Sequence, residues 1–95
     1  MGEVVYTNHL NLRLKIRKIP LHYPKIIYEN PEQSFFDNLE GTGIRIKRLK
    51  YNNKLRNMMV AYETKGNKTE IITIHPINDE KIMNRMMSGR WTKNE

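Results

Sequence analysis

The spacing of the apolar residues changes to a period of two in the second half of the chain, and this change restricts the fold more than any other feature. From residue 44 apolar side chains (Ile44, Ile46 and, out of step, Leu49) alternate with basic ones, and the alternation resumes within residues 55–64 at Met58, Val60 and Tyr62. Residues 69–77 are the most β-prone stretch of the chain. Short polar turns at 52–54 and 65–68 separate these segments. Turns of this length predict consecutive antiparallel hairpins.

The N-terminal third and the C-terminal end are typical of helices. Residues 7–19 place apolar side chains on one helical face, and Pro20 is expected to end the helix. Residues 24–30 predict a second, short helix, and residues 80–88 predict a final one. A short strand is expected at 34–37, before the hairpins begin.

The predicted fold class is therefore α+β. We expect N-terminal helices packed on a 3–4-stranded antiparallel β-sheet, followed by a short C-terminal helix, in a single domain over residues 1–95. The helices are expected to cover one face of the sheet. The other face is expected to remain exposed and to carry Arg and Lys side chains.

The chain is strongly basic. It has 17 Lys and Arg against 10 Asp and Glu, a formal net charge of +7 and a pI near 9.8. Two dense basic blocks occur at residues 13–18 and 45–50. This excess favours a polyanionic partner, with RNA the first choice. The alternative interpretation is a solvated face whose charge serves only solubility.

Several classes of protein are disfavoured by the composition. Cysteine is absent, and the three histidines lack HxxxH or HExxH spacing, so we expect neither a metal site nor a cofactor. No apolar run approaches the length of a membrane span, and the N-terminus lacks a signal-peptide core. We therefore expect a cytoplasmic protein with no membrane partner. The segment 41–43 lacks the Gly and Lys that would follow in a phosphate-binding loop, and we interpret it as a turn.

Four elements together resemble a known family. They are a helix that carries His9 and nearby arginines, a short helix that ends at Asn30-Pro31, a basic strand, and the run Ile-Ile-Thr-Ile-His-Pro at 71–76. This arrangement resembles the RelE/BrnT-like toxin domains of the barnase–colicin–RelE superfamily, which are metal-independent ribonucleases. The resemblance extends over residues 7–91.

The resemblance implies a catalytic group made of histidines and arginines. The candidates are His9, Arg13, Arg17, His75 and Arg85. Histidine titrates near neutral pH and suits proton transfer, while arginine offers a planar set of donors to phosphate oxygens. Because His9, Arg13 and Arg17 are four residues apart, they are expected to share one helical face.

A second set of residues is predicted to contact RNA. Its members are basic side chains of the two blocks and of the C-terminal element, together with one tryptophan: Lys15, Lys18, Arg45, Lys47, Arg48, Lys50, Arg90 and Trp91. Trp91 either stacks on a base or anchors the C-terminal tail. The methionines at 83, 86 and 87 have helical spacing and belong either to the core or, if exposed, to a partner interface.

These patterns leave the function open between an endoribonuclease, a non-catalytic nucleic-acid-binding protein of the same fold, and a small interaction protein. As an enzyme, the chain would cleave RNA by attack of the substrate's own 2′-OH. It would be the toxin of a toxin–antitoxin pair or a virus-encoded relative. The expected partners are RNA (tRNA, mRNA or ribosome-bound) and an acidic antitoxin, and a homodimer stays open.

Overall fold

The structure is a computed structural model, and it describes residues 2–94 of the chain. Its elements follow one another as β1 (Glu3–Tyr6), α1 (Asn8–Arg17), α2 (Tyr23–Glu29), β2 (Gln33–Asp37), β3 (Thr42–Tyr51), β4 (Lys54–Lys65), β5 (Lys68–Pro76), α3 (Asp79–Met87) and β6 (Trp91–Lys93). The predicted α+β class is confirmed. The sheet contains six strands and is thus larger than the 3–4 strands expected.

The strands lie in the order β1-β5-β4-β3-β2-β6. The four central strands, β2 to β5, form the antiparallel hairpins that the sequence predicts. The last strand, β6, also pairs with β2 in antiparallel orientation. β1 pairs with β5 in parallel. The prediction of a wholly antiparallel sheet is therefore wrong at one edge, because a parallel pair is joined by a long crossover rather than by a turn with a local sequence signal.

Short turns hold the register of the central hairpins. Tyr51 pairs with Lys54 across a two-residue loop, in which Asn52 and Asn53 have φ values of 54° and 62°. Asparagine tolerates this left-handed region better than most residues, and paired positive φ values match the twist of a hairpin. The polar segment at 52–54 is thus a tight turn, as the sequence predicts.

The helices start and end close to their predicted limits. Thr7 is the N-cap of α1, and its hydroxyl accepts a hydrogen bond of 3.1 Å from the Leu10 N–H. α1 ends at Arg17, two residues before the predicted limit, because Lys18 takes a left-handed conformation with φ of 54°. No helix in the part of the chain described is long and apolar enough to cross a membrane.

Both faces of the sheet are packed against helices. α1 and α2 cover one face, where a cluster that includes Leu10, Ile27 and Val60 is fully buried. α3 covers the opposite face, where Ile82 packs with Ile46 and other side chains of β2, β3 and β4. Two clusters of buried apolar residues on opposite sides of one sheet therefore stabilise the fold.

The prediction of an exposed face that carries the basic residues is wrong. In β3, Ile44 and Ile46 point toward α3 and are almost completely buried, whereas Arg45 points to the face covered by α1 and α2. Alternation along a strand places neighbouring side chains on opposite faces. The apolar residues of β3 face the cluster under α3, and Arg45 faces the cluster under α1 and α2. Neither face of the sheet is therefore left free for the basic residues.

Candidate nucleic-acid interface

The free edge of β5 carries the candidate site. β1 pairs with β5 only as far as Ile71, and a bulge at Ile72 interrupts the pairing with β4. Beyond this point α1 lies along the strand: the Thr7 hydroxyl is 3.3 Å from the Ile71 carbonyl, and Arg17 Nη1 donates a 3.0 Å hydrogen bond to the Ile74 carbonyl. These contacts bring the C-terminal end of α1 next to the last residues of β5.

His75 is half-buried at this end of β5. It lies directly opposite Met59 of β4, so its imidazole points to the face that α3 covers. Nδ1 is 3.0 Å from the Pro76 carbonyl oxygen. A carbonyl can only accept, so Nδ1 carries the hydrogen, and Nε2 of the neutral ring keeps its lone pair.

The surroundings of His75 favour its neutral form. Burial is the largest cause that lowers the pKa of the imidazole, while the hydrogen bond to the Pro76 carbonyl acts in the opposite direction. The positive charges of Arg17, Lys81 and Arg13 lower the pKa further. The net effect is a pKa below the ordinary value of 6.5, which leaves an uncharged imidazole among cations at neutral pH.

Two helices supply the cations around His75. Arg13 and Arg17 come from α1, and Lys81 comes from α3 on the other face of the sheet. Arg17 also lines a shallow hollow with His75, Pro76 and the hairpin residues 51–52. The sequence-predicted residues Arg17 and His75 thus line one hollow, and the charge of Arg13, one helical turn earlier, also acts on the imidazole.

A groove of about 540 Å³ extends from His75 between α3 and the sheet. Met59 and Ala61 of β4 and Thr73 of β5 contribute to its floor, and Lys81 and Arg85 of α3 contribute to its wall. The Nε atom of Arg85 is buried without a hydrogen-bond partner among the described residues. Buried donors in native proteins are normally satisfied, and this Nε atom is itself closed off from solvent, so Arg85 contributes its positive charge to the groove rather than an open donor.

The predicted RNA contact of Trp91 needs correction, whereas that of Arg90 stays a prediction. Trp91 is only 4% exposed, stacks on Phe35 at 5.4 Å, and donates a 3.2 Å hydrogen bond from Nε1 to Asp37. Arg90 forms a two-pronged pair with the same carboxylate at 3.1 Å. Both side chains anchor the C-terminal strand, so Trp91 has no free ring face on which a base could stack.

His9 and two of the lysines lie apart from the groove. His9 is exposed in the first turn of α1, about 12 Å from Arg17 along the helix axis at the usual helical rise. Lys15 and Lys18 line a separate hollow with Leu21 on the other side of α1. The predicted column therefore does not bring His9 to His75.

The basic block of β3 is distributed over both faces of the sheet. The Arg45 guanidinium lies between the rings of Tyr28 and Tyr62, 4.3 and 5.1 Å from their centroids, and donates to the Tyr28 carbonyl. Lys47 is half-buried, while Lys50 and Arg48 are exposed. Arg48 lines another hollow near the turn at 52–53. Arg45 is thus a packed side chain rather than a free RNA contact.

This chain matches no protein-family model, no curated protein and no solved structure. The resemblance to RelE/BrnT-like domains stays a prediction. Within residues 2–94, no group of three or more His, Asp or Glu side chains is arranged to hold a metal ion.

Lys81 is a site residue that the sequence reasoning missed. It lies four residues before Arg85, so both side chains project from the same side of α3. This four-residue spacing was the signal in the sequence that could have identified Lys81 as a neighbour of Arg85.

Proposed function

We propose that this protein binds single-stranded RNA at the cations around His75 and cleaves it there without a metal ion. The observation that carries the proposal is that His75 lines two adjoining hollows, one with Arg17 and the other with Lys81, and the charge of Arg13 also acts on its imidazole. RNA of the cytoplasm, as tRNA, mRNA or ribosome-bound message, is the proposed substrate class.

The charge distribution supports phosphate binding. The cations come from both faces of the sheet edge, and Arg85 adds a positive charge to the wall of the groove. A phosphodiester at His75 would accept charge-assisted hydrogen bonds from the arginines. A net charge of +7 also attracts a polyanion from a distance.

The reaction assigned to this site is transesterification. Nε2 of His75 takes the proton of the 2′-OH, and the 2′-oxygen attacks the adjacent phosphorus. The bond from phosphorus to the 5′-oxygen then breaks, leaving a 2′,3′-cyclic phosphate and a 5′-hydroxyl. Arginine donors offset the extra negative charge of the phosphorane. Lys81, which lines the groove with His75, supplies the proton to the 5′-oxygen.

Non-catalytic RNA binding is the second candidate, and one observation favours it. His9, the other histidine predicted to act in catalysis, is exposed at the start of α1 and does not line the groove. A two-histidine acid–base pair is therefore not assembled. Under this alternative the same cations bind phosphates, and His75 contributes only shape.

The first test combines cleavage with binding. We expect purified protein to cut total tRNA, mRNA or ribosome-bound message in EDTA, read on a denaturing gel. We also expect the affinity for single-stranded RNA to fall steeply with salt. Each phosphate contact contributes about 0.7 to the slope of log K against log salt, so Lys81→Gln should lower the slope by roughly that amount.

Lys25→Gln is the matched control, because Lys25 is an exposed lysine on α2. An unchanged slope in this variant, with a reduced slope in Lys81→Gln, would place the phosphates in the groove. Salt-sensitive binding without cleavage of any RNA would support the non-catalytic candidate. Binding that does not respond to salt would contradict both.

We further propose that an acidic partner polypeptide, as an antitoxin would be, docks on α3 in a toxin–antitoxin pair. Met83, Met86 and Met87 form an exposed apolar stripe on this helix, with exposed fractions of 55, 37 and 79%. Lys81 and Arg85 line the groove from the adjoining side of the same helix. A partner segment with apolar residues over the methionines and acidic residues over Lys81 and Arg85 would cover the stripe and the cations together.

A synthetic amphipathic peptide with leucines on one face and glutamates on the other tests this surface. We expect it to displace labelled RNA, and the double change Met83→Ser/Met87→Ser to weaken displacement about tenfold through lost apolar burial. Leu12→Ser/Ile16→Ser is the control, since these exposed apolar residues lie on α1. A homodimer that Met83→Ser/Met87→Ser dissociates would assign the stripe to a second copy instead.

A further inference from the structure

We infer that the groove beside His75 selects a guanine base, and that Glu63 is the residue that reads it. This inference rests on the proposed function, because it assumes that a phosphate occupies the His75 end. Glu63 lines the same groove as His75, Lys81 and Arg85. One concave surface therefore combines cations with an acceptor, as a nucleotide requires.

The two ends of the groove lie at different positions along β4. Alternate residues of a strand lie on the same face of the sheet. In β4, the α3 face therefore carries Met59, Ala61 and Glu63, and the residues between them lie on the face that α1 and α2 cover. His75 pairs with Met59, which places Glu63 four residues farther along the strand. At the rise of a β-strand this is about 13 Å. The apolar floor runs from Met59 at the phosphate end to Ala61, midway to the carboxylate end, and can take the face of a base.

Glu63 is the carboxylate best placed to accept from a base. Asp37 and Glu40 also line the groove, but Arg90, Trp91 and two backbone N–H groups already occupy the Asp37 oxygens. Glu40 lies in the turn after β2, off the strand that carries Met59 and Ala61, and its charge acts on Arg90. Within residues 2–94, Glu63 forms one ion pair, a 3.9 Å contact of Oε2 with Lys65, and the two side chains are 42% and 63% exposed. Surface pairs of this kind are weak and exchange readily with other partners.

An ionised carboxylate only accepts hydrogen bonds, and it accepts two in parallel. Guanine is the base whose Watson–Crick edge presents two adjacent donors, N1–H and the N2 amino group. Adenine and cytosine place an acceptor beside their single amino donor, and that acceptor repels a carboxylate. Uracil presents one N–H between two carbonyls. The donor pattern therefore selects guanine.

The test uses four labelled heptanucleotides, UUUNUUU, in which N is each base in turn. A 2′-O-methyl group on every sugar blocks each 2′-hydroxyl nucleophile, so fluorescence anisotropy reports binding without cleavage. We expect the guanine oligonucleotide to bind roughly tenfold more tightly than the others, the lower end for a bidentate base contact. Glu63→Gln should remove this preference while leaving the other three affinities unchanged.

Glu70→Gln is the matched control, because Glu70 lies opposite Glu63 on β5 but does not line the groove. It should retain the preference for guanine. In the unmutated protein, 3′-GMP should shift the amide resonances of Ala61 and Glu63 more than 3′-CMP does. Equal affinity for all four oligonucleotides, with a steep salt dependence, would overturn the base reading and leave RNA binding intact. Loss of salt-dependent binding altogether would instead overturn the proposed function.

Discussion

Replacing His75 with glutamine is expected to reduce RNA cleavage by about 100- to 10,000-fold, the contribution of a positioned general base. Glutamine keeps a polar side chain of similar length but cannot take up the proton of the 2′-OH. RNA binding should change much less, because the imidazole is uncharged at neutral pH and the cations Arg13, Arg17 and Lys81 remain. Single-turnover cleavage and anisotropy on the same RNA measure the two effects separately.

The dependence of cleavage on pH gives a second readout for His75. Since the general base must be neutral and its pKa is lowered, activity should persist below pH 6.5 and fall only as the pH drops through the lowered value. His9→Gln and His22→Gln are the controls, because both residues are exposed. Cleavage by His75→Gln at the unmutated rate would exclude His75 as the base.

Replacing Asp37 with alanine is expected to lower the free energy of unfolding by about 3 kcal/mol, the lower end for breaking a buried ion pair. Asp37 is 3% exposed, and its oxygens accept from the side chains of Arg90 and Trp91 and from the backbone N–H groups of Leu39 and Glu40. Without the carboxylate, the buried indole N–H and the turn after β2 lose their acceptor. Urea unfolding measures the change.

Asn38→Ala is the control, since the Asn38 side chain is exposed and makes one 3.1 Å hydrogen bond to the Gly89 carbonyl. A loss in Asp37→Ala no larger than in Asn38→Ala would show that the network contributes little. Burial raises the pKa of Asp37, but the hydrogen bonds from Arg90, Glu40, Trp91 and Leu39 outweigh it and hold the pKa below its usual value. Its stabilisation is therefore present above about pH 4 and is lost as the pH falls through the lowered pKa.

Much of the secondary structure could be predicted from local pattern. The hairpins β3-β4 and β4-β5 follow from period-two alternation and polar turns, and α3 follows from its cap at Asn78 and its helical spacing. The edge strands β1 and β6 could not be found in this way. Each is four residues or fewer, too short for a period to show, and each exists because a longer strand offers it unpaired backbone groups.

The candidate site could be predicted only in part. The chemistry of His75, Arg13 and Arg17 is readable from residue type, but their meeting depends on α1 packing beside the β5 edge. Arg45 shows the opposite outcome, since a residue chosen for its charge lies between two tyrosine rings. Charge is a property of one residue, whereas exposure depends on which elements pack against it.

The sequence by itself determined the class of the fold, the basic charge and the residue types that a phosphate site would need, because each depends on composition or on neighbours a few positions apart. The tertiary structure alone decided which of those residues share a surface. It buried Trp91 against Phe35, left His9 at the far end of α1, and brought Lys81 of α3 to His75. These outcomes depend on contacts between elements distant in sequence, and the pairing and packing that create them leave no local pattern.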